Sequence, residues 1–379
     1  MNALKCRAML HRQRYLVSQL RKFGNLSLSS SQLVPNPVSQ TTNSDDGIHI
    51  FPSKGNDLSM SNHTRLACGY GFTVLTGVND QYLVVTGVNS KSQLGIPSFQ
   101  KNVVTKLTEV KLPFTKADSQ ILDMSCGRLH TVVLTTEGLF SSGCNRFGQC
   151  GLEGQDELTQ FTKIPSTPAA VKQVVCGLDH TLLLTDDGQV WSCGWGADGQ
   201  TGLGSTDEQR SFALVQLPST IKIATKVDSC LALTNTGEVF SWGNSEYSQL
   251  GFATEKTLIT KPTKITSLQS IVDFAIGNSV GLALTENGDV FIWGYGLLGD
   301  SPEPCLIQVP QKLTFLDKRV TQVDCGLCYY LLLTDDKKVY IWGKLNQAIC
   351  SHLPKEIKLP ETTRLLSCGV DHLGIIVDT

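Results

Sequence analysis

Residues 126–151 read CGRLHTVVLTTEGLFSSGCNRFGQCG, and residues 176–202 read CGLDHTLLLTDDGQVWSCGWGADGQTG. Both follow one grammar: a small Cys-Gly pair, an apolar run, a polar turn holding Gly, a second run ending in Gly, and a Gln-x-Gly loop. TVVL or TLLL, then a Gly-bearing turn and a second apolar run, is a β-hairpin signal, because Gly supplies the positive φ that a tight turn needs. Further copies start at Cys68, at a degenerate Ala224-Thr225 site, at Ile276-Gly277, at Cys325 and at Cys368. The seven starts are separated by 58, 50, 48, 52, 49 and 43 residues.

A lone hairpin cannot bury its faces, so such units must pack on their neighbours, and about 48 residues suffice for a four-stranded propeller blade. The seven starts therefore predict an all-β, seven-bladed β-propeller over residues 45–379, with the Cys-Gly pairs where inner strands crowd around the axis. The last copy, CGVDHLGIIVDT, stops after its first strand, and Ile48-His49-Ile50-Phe51 is an otherwise orphaned strand. Pairing of these two is expected to close the ring. Composition agrees: 17% charged residues and 34 glycines in 379 favour short strands and turns over long helices.

The Cys-Gly-x-x-His, Trp-Gly and Gly-Gln-x-Gly signatures resemble the regulator-of-chromosome-condensation (RCC) repeat, over roughly residues 45–379. Blocks such as ACGYGFT, CGWGADGQTGLG, WGNSEYSQL, FIWGYGLLG and CGVDH are similar to the mitochondrial branch of that family. The resemblance implies a closed propeller that presents loops to partners. For the mitochondrial branch it implies a role in ribosome biogenesis, with large-subunit ribosomal RNA and pseudouridine synthases as partners. It also implies an alternative, guanine-nucleotide exchange on the dynamin-like GTPase of inner-membrane fusion.

Residues 1–44 are a different kind of sequence. They carry Lys5, Arg7, Arg12, Arg14, Arg21 and Lys22 and no Asp or Glu. Drawn as a helix, residues 4–22 put Leu4, Leu10, Leu16, Val17 and Leu20 on one side and the arginines on the other, the pattern of a mitochondrial transit peptide. Arg21-Lys22-Phe23-Gly24 resembles a matrix-protease site, so cleavage is expected near residues 23/24. A basic nucleic-acid-binding arm or an unstructured tail is the competing reading. Loss of these six cations leaves 26 basic against 34 acidic residues, a net charge of −8, which repels nucleic acid. RNA contact would then need a local patch, and the candidate is the loop carrying Lys101, Lys106, Lys111 and Lys116, interrupted only by Glu109. No apolar run is long enough to span a bilayer as a helix, so the protein is expected to be soluble or peripheral. With the transit peptide and the family resemblance, the expected place is the mitochondrial matrix or the face of the inner membrane. The 13 cysteines are too dilute for a disulfide scaffold and fit a reducing compartment.

Motifs for catalysis or cofactors are weak. Gly194, Gly196 and Gly199 satisfy the dinucleotide fingerprint G-x-G-x-x-G, but Gln-Thr-Gly-Leu-Gly follows in place of an apolar helix, so no cofactor is expected. Cys126 with His130, Cys176 with His180 and Cys368 with His372 have a ligand-like spacing, yet each pair lies in a different unit. Other copies carry Phe72, Asp228, Val280 and Tyr329 at the histidine position, which favours a structural hydrogen bond over zinc. The pairs Asp179-His180 and Asp371-His372 resemble the family's axial Asp-His that touches a small GTPase, and are the candidate GTPase contacts. Exchange of nucleotide works by prying a partner open at an interface and needs no nucleophile, and no catalytic residues are assigned. The five tryptophans fall mostly at one strand position, as packing residues do.

Overall fold

The sequence patterns become strands in a computed structural model that describes residues 48–52 and 65–377, apart from 300–301, 315–316, 346–349, 360–362 and 371. The basic segment 1–44 and Asp371 lie outside the described residues. An N-terminal strand β1 (Ile48–Pro52) precedes six sheets of four strands. The first blade holds β2 (Leu66–Cys68), β3 (Phe72–Thr76), β4 (Leu83–Val88) and β5 (Val103–Val110), and the second β6 (Ile121–Cys126), β7 (His130–Thr135), β8 (Gly138–Cys144) and β9 (Glu157–Lys163). The third holds β10 (Val171–Cys176), β11 (His180–Thr185), β12 (Val190–Gly194) and β13 (Gln209–Val215), and the fourth β14 (Thr220–Lys226), β15 (Ser229–Thr234), β16 (Val239–Asn244) and β17 (Leu258–Lys264). The fifth holds β18 (Ile271–Ile276), β19 (Val280–Thr285), β20 (Val290–Gly296) and β21 (Cys305–Lys312), and the sixth β22 (Val320–Cys325), β23 (Tyr329–Thr334), β24 (Val339–Lys344) and β25 (Cys350–Ile357).

The expectation of seven blades is corrected here. Among the described residues there are six four-stranded blades, and the remaining sheet has three strands, in the order β1, β27 (Leu373–Val377), β26 (Thr363–Cys368). A repeat start marks a first strand and does not guarantee the three that follow. In that sheet β1 runs parallel to β27, with Ile48 opposite Leu373 and Phe51 opposite Ile376.

Each blade's first strand is a sheet edge, and neighbouring first strands touch one another around the axis. Their edge amides cannot pair within their own sheet, and side chains from adjacent blades supply the partners. Val174 N–H donates to Asp123 Oδ2 at 2.9 Å and Cys176 N–H to Ser125 Oγ at 2.9 Å. Ile223 N–H donates to Gln173 Oε1 at 3.1 Å, Gln173 Nε2 returns a bond to Ile223 O at 3.0 Å, and Cys368 N–H donates to Asp324 Oδ2 at 3.1 Å. Apolar side chains fill the space between blades: Leu182, Leu184 and Val190 of the third pack with Ile223, Cys230, Ala232 and Trp242 of the fourth. Trp242 Nε1 donates to Gln200 O at 2.9 Å and Trp293 Nε1 to Gln249 O at 2.7 Å, so a Trp of one blade reads the Gln-x-Gly loop of the previous one.

The Cys-Gly pair has a steric reason. A Cβ on Gly127 would stand 2.2 Å from His130 Cε1 and 2.7 Å from Gly177 O, and one on Gly177 would stand 2.1 Å from His180 Cε1 and 2.7 Å from Val227 O. The glycine makes room both for the ring three residues on and for the backbone of the next blade. Gly127→Ala and Gly177→Ala should each destabilise the chain by about 3 kcal/mol, the upper range for overpacking, in urea unfolding. A change below about 0.5 kcal/mol would contradict this account, since that is the range of ordinary surface substitutions. Deleting residues 1–52 should lower the melting temperature by removing the β1 ladder from β27, and an unchanged melting temperature would show that β1 does not stabilise the last sheet.

Candidate functional site

The turn from the first strand to the second, which carries Cys-Gly-x-x-His at residues 126–130, 176–180 and 368–372, lies on the same face of the ring as the Gln-x-Gly loop, because two antiparallel strand reversals separate them. His130 and His180 are fully buried. His130 Nε2 lies 3.1 Å from Thr181 Oγ1, and His180 Nε2 lies 2.9 Å from Thr225 Oγ1 and 3.3 Å from Cys230 Sγ. His372 repeats the contact at the seam, 3.0 Å from Thr73 Oγ1 of the first blade. Tyr329 occupies the position in the sixth blade and donates its hydroxyl to His372 O at 2.7 Å. These rings tie one blade to the next.

The hydroxyl protons fix the tautomer. Thr181 Oγ1 donates to Gln149 O at 2.7 Å and Thr225 Oγ1 to Ser229 O at 2.9 Å, so the proton between each ring and its threonine belongs to the histidine Nε2. Nδ1 of both rings then carries a lone pair, and neither has a hydrogen-bond partner. Burial holds both imidazoles neutral, with pKa values lowered to about 3. Among the described residues no three His, Cys, Asp or Glu side chains converge where a metal ion could sit. The fingerprint glycines are explained by packing: a Cβ on Gly196 would meet Asp207 O at 1.9 Å, and one on Gly199 would meet Ile259 O at 2.8 Å.

Asp179 is buried beside the second blade and forms an ion pair with the Arg128 guanidinium. Gln149 Nε2 lies 3.4 Å from its other oxygen. Burial pushes the Asp179 carboxyl up, and Arg128 opposes that shift. Register places Asp228 at the equivalent position of the fourth blade: His180 faces Gly194 across the hairpin, and Ser229 faces Gly243. The sequence reading of Asp228 at the histidine position is therefore one residue out, and Ser229 stands there. Gln200 Nε2 donates to Asp228 Oδ1 at 2.9 Å, and Asn244 Nδ2 donates to Asp198 Oδ1 at 3.1 Å nearby. Burial and the like charges of Asp198 and Asp179 raise Asp228 to about 7. Phe147 and Trp195, half-buried with ring centroids 4.5 Å apart, lie in the loops of the same face.

Sequence reasoning thus found Asp179 but missed Arg128, Asp198 and Asp228. The available signal was the string Asp228-Ser229-Cys230 set against Asp179-His180-Thr181. The lysine candidates are all exposed, but they do not form a loop. Lys106 is in the outer strand β5, with Lys101 before it and Lys111 after it, so those two are ~33 Å apart along an extended chain. Lys116 lies beyond, where its N–H and that of Thr115 donate to Glu137 Oε1 at 3.0 and 2.8 Å. Hydrogen bonds from Ser119 and Thr115 hold that carboxylate down, to about 2.

With this geometry in place, the comparisons define the class. The sequence profile of the RCC1-like domain matches residues 22–375, and the chain belongs to that family. It is 36% identical over 345 residues to the RCC1-like G exchanging factor-like protein of Mus musculus, covering 81% of this chain and 75% of that one. It is 30% identical over 305 residues to the secretion-regulating guanine nucleotide exchange factor of the same organism, covering 74% of this chain and 63% of that one. The crystal structure of human WBSCR16 superposes with a TM-score of 0.79 at 33% identity, covering 86% of this chain and 89% of that one.

Asp228 gives a pH test. Folded, it keeps its proton up to about pH 7, whereas an unfolded Asp loses it near pH 4. The folded state thus binds more protons in that interval, and this carboxyl lowers stability as pH rises from about 4 to 7. Asp228→Asn should raise the unfolding free energy by about 2 kcal/mol at pH 7.5, less than the full shift because solvent screens a half-buried carboxyl, and by almost nothing at pH 4. Equal effects at both pH values in urea titrations would refute the raised pKa.

Proposed function

We propose that this chain is a non-enzymatic interaction platform of the mitochondrial matrix, peripheral to the inner membrane, that serves ribosome biogenesis by binding large-subunit ribosomal RNA and pseudouridine-synthase assembly proteins. The observation that carries the platform reading is the use made of the histidines within the repeats: His130, His180 and His372 are consumed by blade-to-blade bonds, so recognition is left to surface loops and strands. The mitochondrial assignment rests on the acid-free, basic and amphipathic segment 1–44. The RNA contact rests on the exposed Lys101, Lys106 and Lys111, a line of cations along the outer edge of the first blade that suits a phosphate backbone.

Ultraviolet crosslinking of the full-length protein in intact mitochondria, with sequencing of the bound RNA, should enrich large-subunit ribosomal RNA. Charge reversal of Lys101, Lys106, Lys111 and Lys116 together should reduce the recovered RNA at least about tenfold, as expected for losing several phosphate contacts. Absence of specific RNA from the wild-type protein would refute the proposal.

A second reading, nucleotide exchange on the dynamin-like GTPase of inner-membrane fusion, is favoured by Asp179. Its carboxylate is fixed by Arg128 on the loop-bearing face, next to Asp228 and Asp198, and two relatives have exchange-factor names. Asp179→Ala with Asp371→Ala should slow nucleotide release from that GTPase while leaving the melting temperature within a few degrees. Release unaffected by the protein or by the substitutions would remove this reading.

A further inference from the structure

At the position where other repeats have Gly69, Gly127, Gly177, Gly277, Gly326 and Gly369, the fourth blade has Lys226. A four-carbon ammonium therefore projects from a ring that elsewhere excludes even a Cβ. It does not turn outward. Lys226 reaches across the axis from the fourth blade to the last sheet, where Nζ donates to Cys368 O at 2.6 Å.

The ammonium lines an axial cavity of about 180 Å³ together with Cys68, Cys126, Cys176, Thr225, Asp324 and Cys368. That volume would take about six waters at liquid density, or an oxyanion with some of its hydration. Lys226 is half-buried, so solvent and solutes reach it. Among the described residues no carboxylate lies within 4.0 Å of its nitrogen. Asp324 shares the cavity, but its two oxygens are engaged by Cys325 N–H at 2.8 Å and Cys368 N–H at 3.1 Å. Burial pushes the Cys126, Cys176 and Cys368 thiols up, Cys176 to about 12, so these three are neutral at physiological pH and supply weak S–H donors, whereas burial of the Cys68 thiol is outweighed by His372, which draws it down.

We propose that this axial cavity is an anion site, in which Lys226 receives one carboxylate or small oxyanion with the two N–H bonds that the Cys368 carbonyl leaves unused. Asp324 shares the cavity but forms no ion pair with Lys226, which leaves ammonium N–H groups open to a ligand, and a contact in a restricted cavity is screened less than one at the surface. The site takes a single compact anionic group and no larger body. Lys226 is two residues before Asp228, at the end of β14 on the loop-bearing face, so either a free anion or the acidic side chain of a protein partner can supply the group.

The test uses the full-length protein at constant ionic strength in sodium chloride, with inorganic phosphate, acetate or an Asp-containing hexapeptide added. Acylation of Lys226 by an amine-reactive ester, followed by mass spectrometry, should slow about tenfold when the added probe is at roughly ten times its Kd. Exposed Lys101 and Lys111 should label at unchanged rates. The melting temperature should rise saturably with the same probe, Lys226→Arg should retain that rise and Lys226→Gln should lose it. Protection by phosphate or acetate identifies a free anion, and protection by the peptide alone identifies a partner carboxylate. Unchanged labelling with all three probes would overturn the proposal, as would a saturable rise that persists in Lys226→Gln. The labelling arm decides the matter with wild-type protein if the Gln variant does not fold.

Discussion

A strand at the edge of a sheet has amides that must find partners, and this architecture turns its first strands toward a common axis. The rest of the structure depends on meeting that constraint. Along the strands it is met by Asp123, Ser125, Gln173 and Asp324, which reach from one blade to backbone groups of the next. At the strand ends it is met by rings laid over glycines. Backbone bonds complete the collar: Arg128 N–H donates to Leu178 O at 3.0 Å, Leu178 N–H to Val227 O at 2.8 Å and Asn278 N–H to Leu327 O at 3.2 Å. Blades joined in this way share polar contacts as well as apolar ones, so side chains at the axis are set by the ring's own chemistry before any partner is considered.

That division bears on function. A His buried at an inter-blade bond, with its one N–H spent on a threonine, is poorly placed to act as a ligand or general base. Asp179 is different in kind: it is buried but ion-paired to Arg128, whose side chain is 40% exposed, so the pair is fixed from below and reachable from above. Asp228 adds a carboxyl that changes charge near neutral pH within the same face. The face can therefore present a polar surface whose charge is set by the fold.

The hairpins, the crowded Cys-Gly pairs and the pairing of Ile48–Pro52 with the last copy were legible because each is written in a short, periodic stretch. The blade number was not, since a four-stranded blade needs three further strands that the Cys-Gly-x-x-His start does not encode. In the fourth repeat Thr225-Lys226 replaces Cys-Gly, which hid the register and put Asp228 one residue out. Residues 103–110, VVTKLTEV, form an outer edge strand exposed along much of its length, so its polar side chains made it read as a loop. Partners some fifty residues away, such as Arg128 for Asp179, leave no local trace in the chain.

The central claim is that the histidine of the repeat is a neutral staple between blades, protonated on Nε2 and bare on Nδ1. The most direct measurement is a pH titration of the histidine ring nitrogens by ¹⁵N nuclear magnetic resonance in the folded protein. The account predicts that His130 and His180 show the Nε2–H tautomer and do not titrate near 6.5, staying neutral until the protein unfolds in acid. A protonation midpoint near 6.5 in the folded state, or an Nδ1–H tautomer, would contradict it.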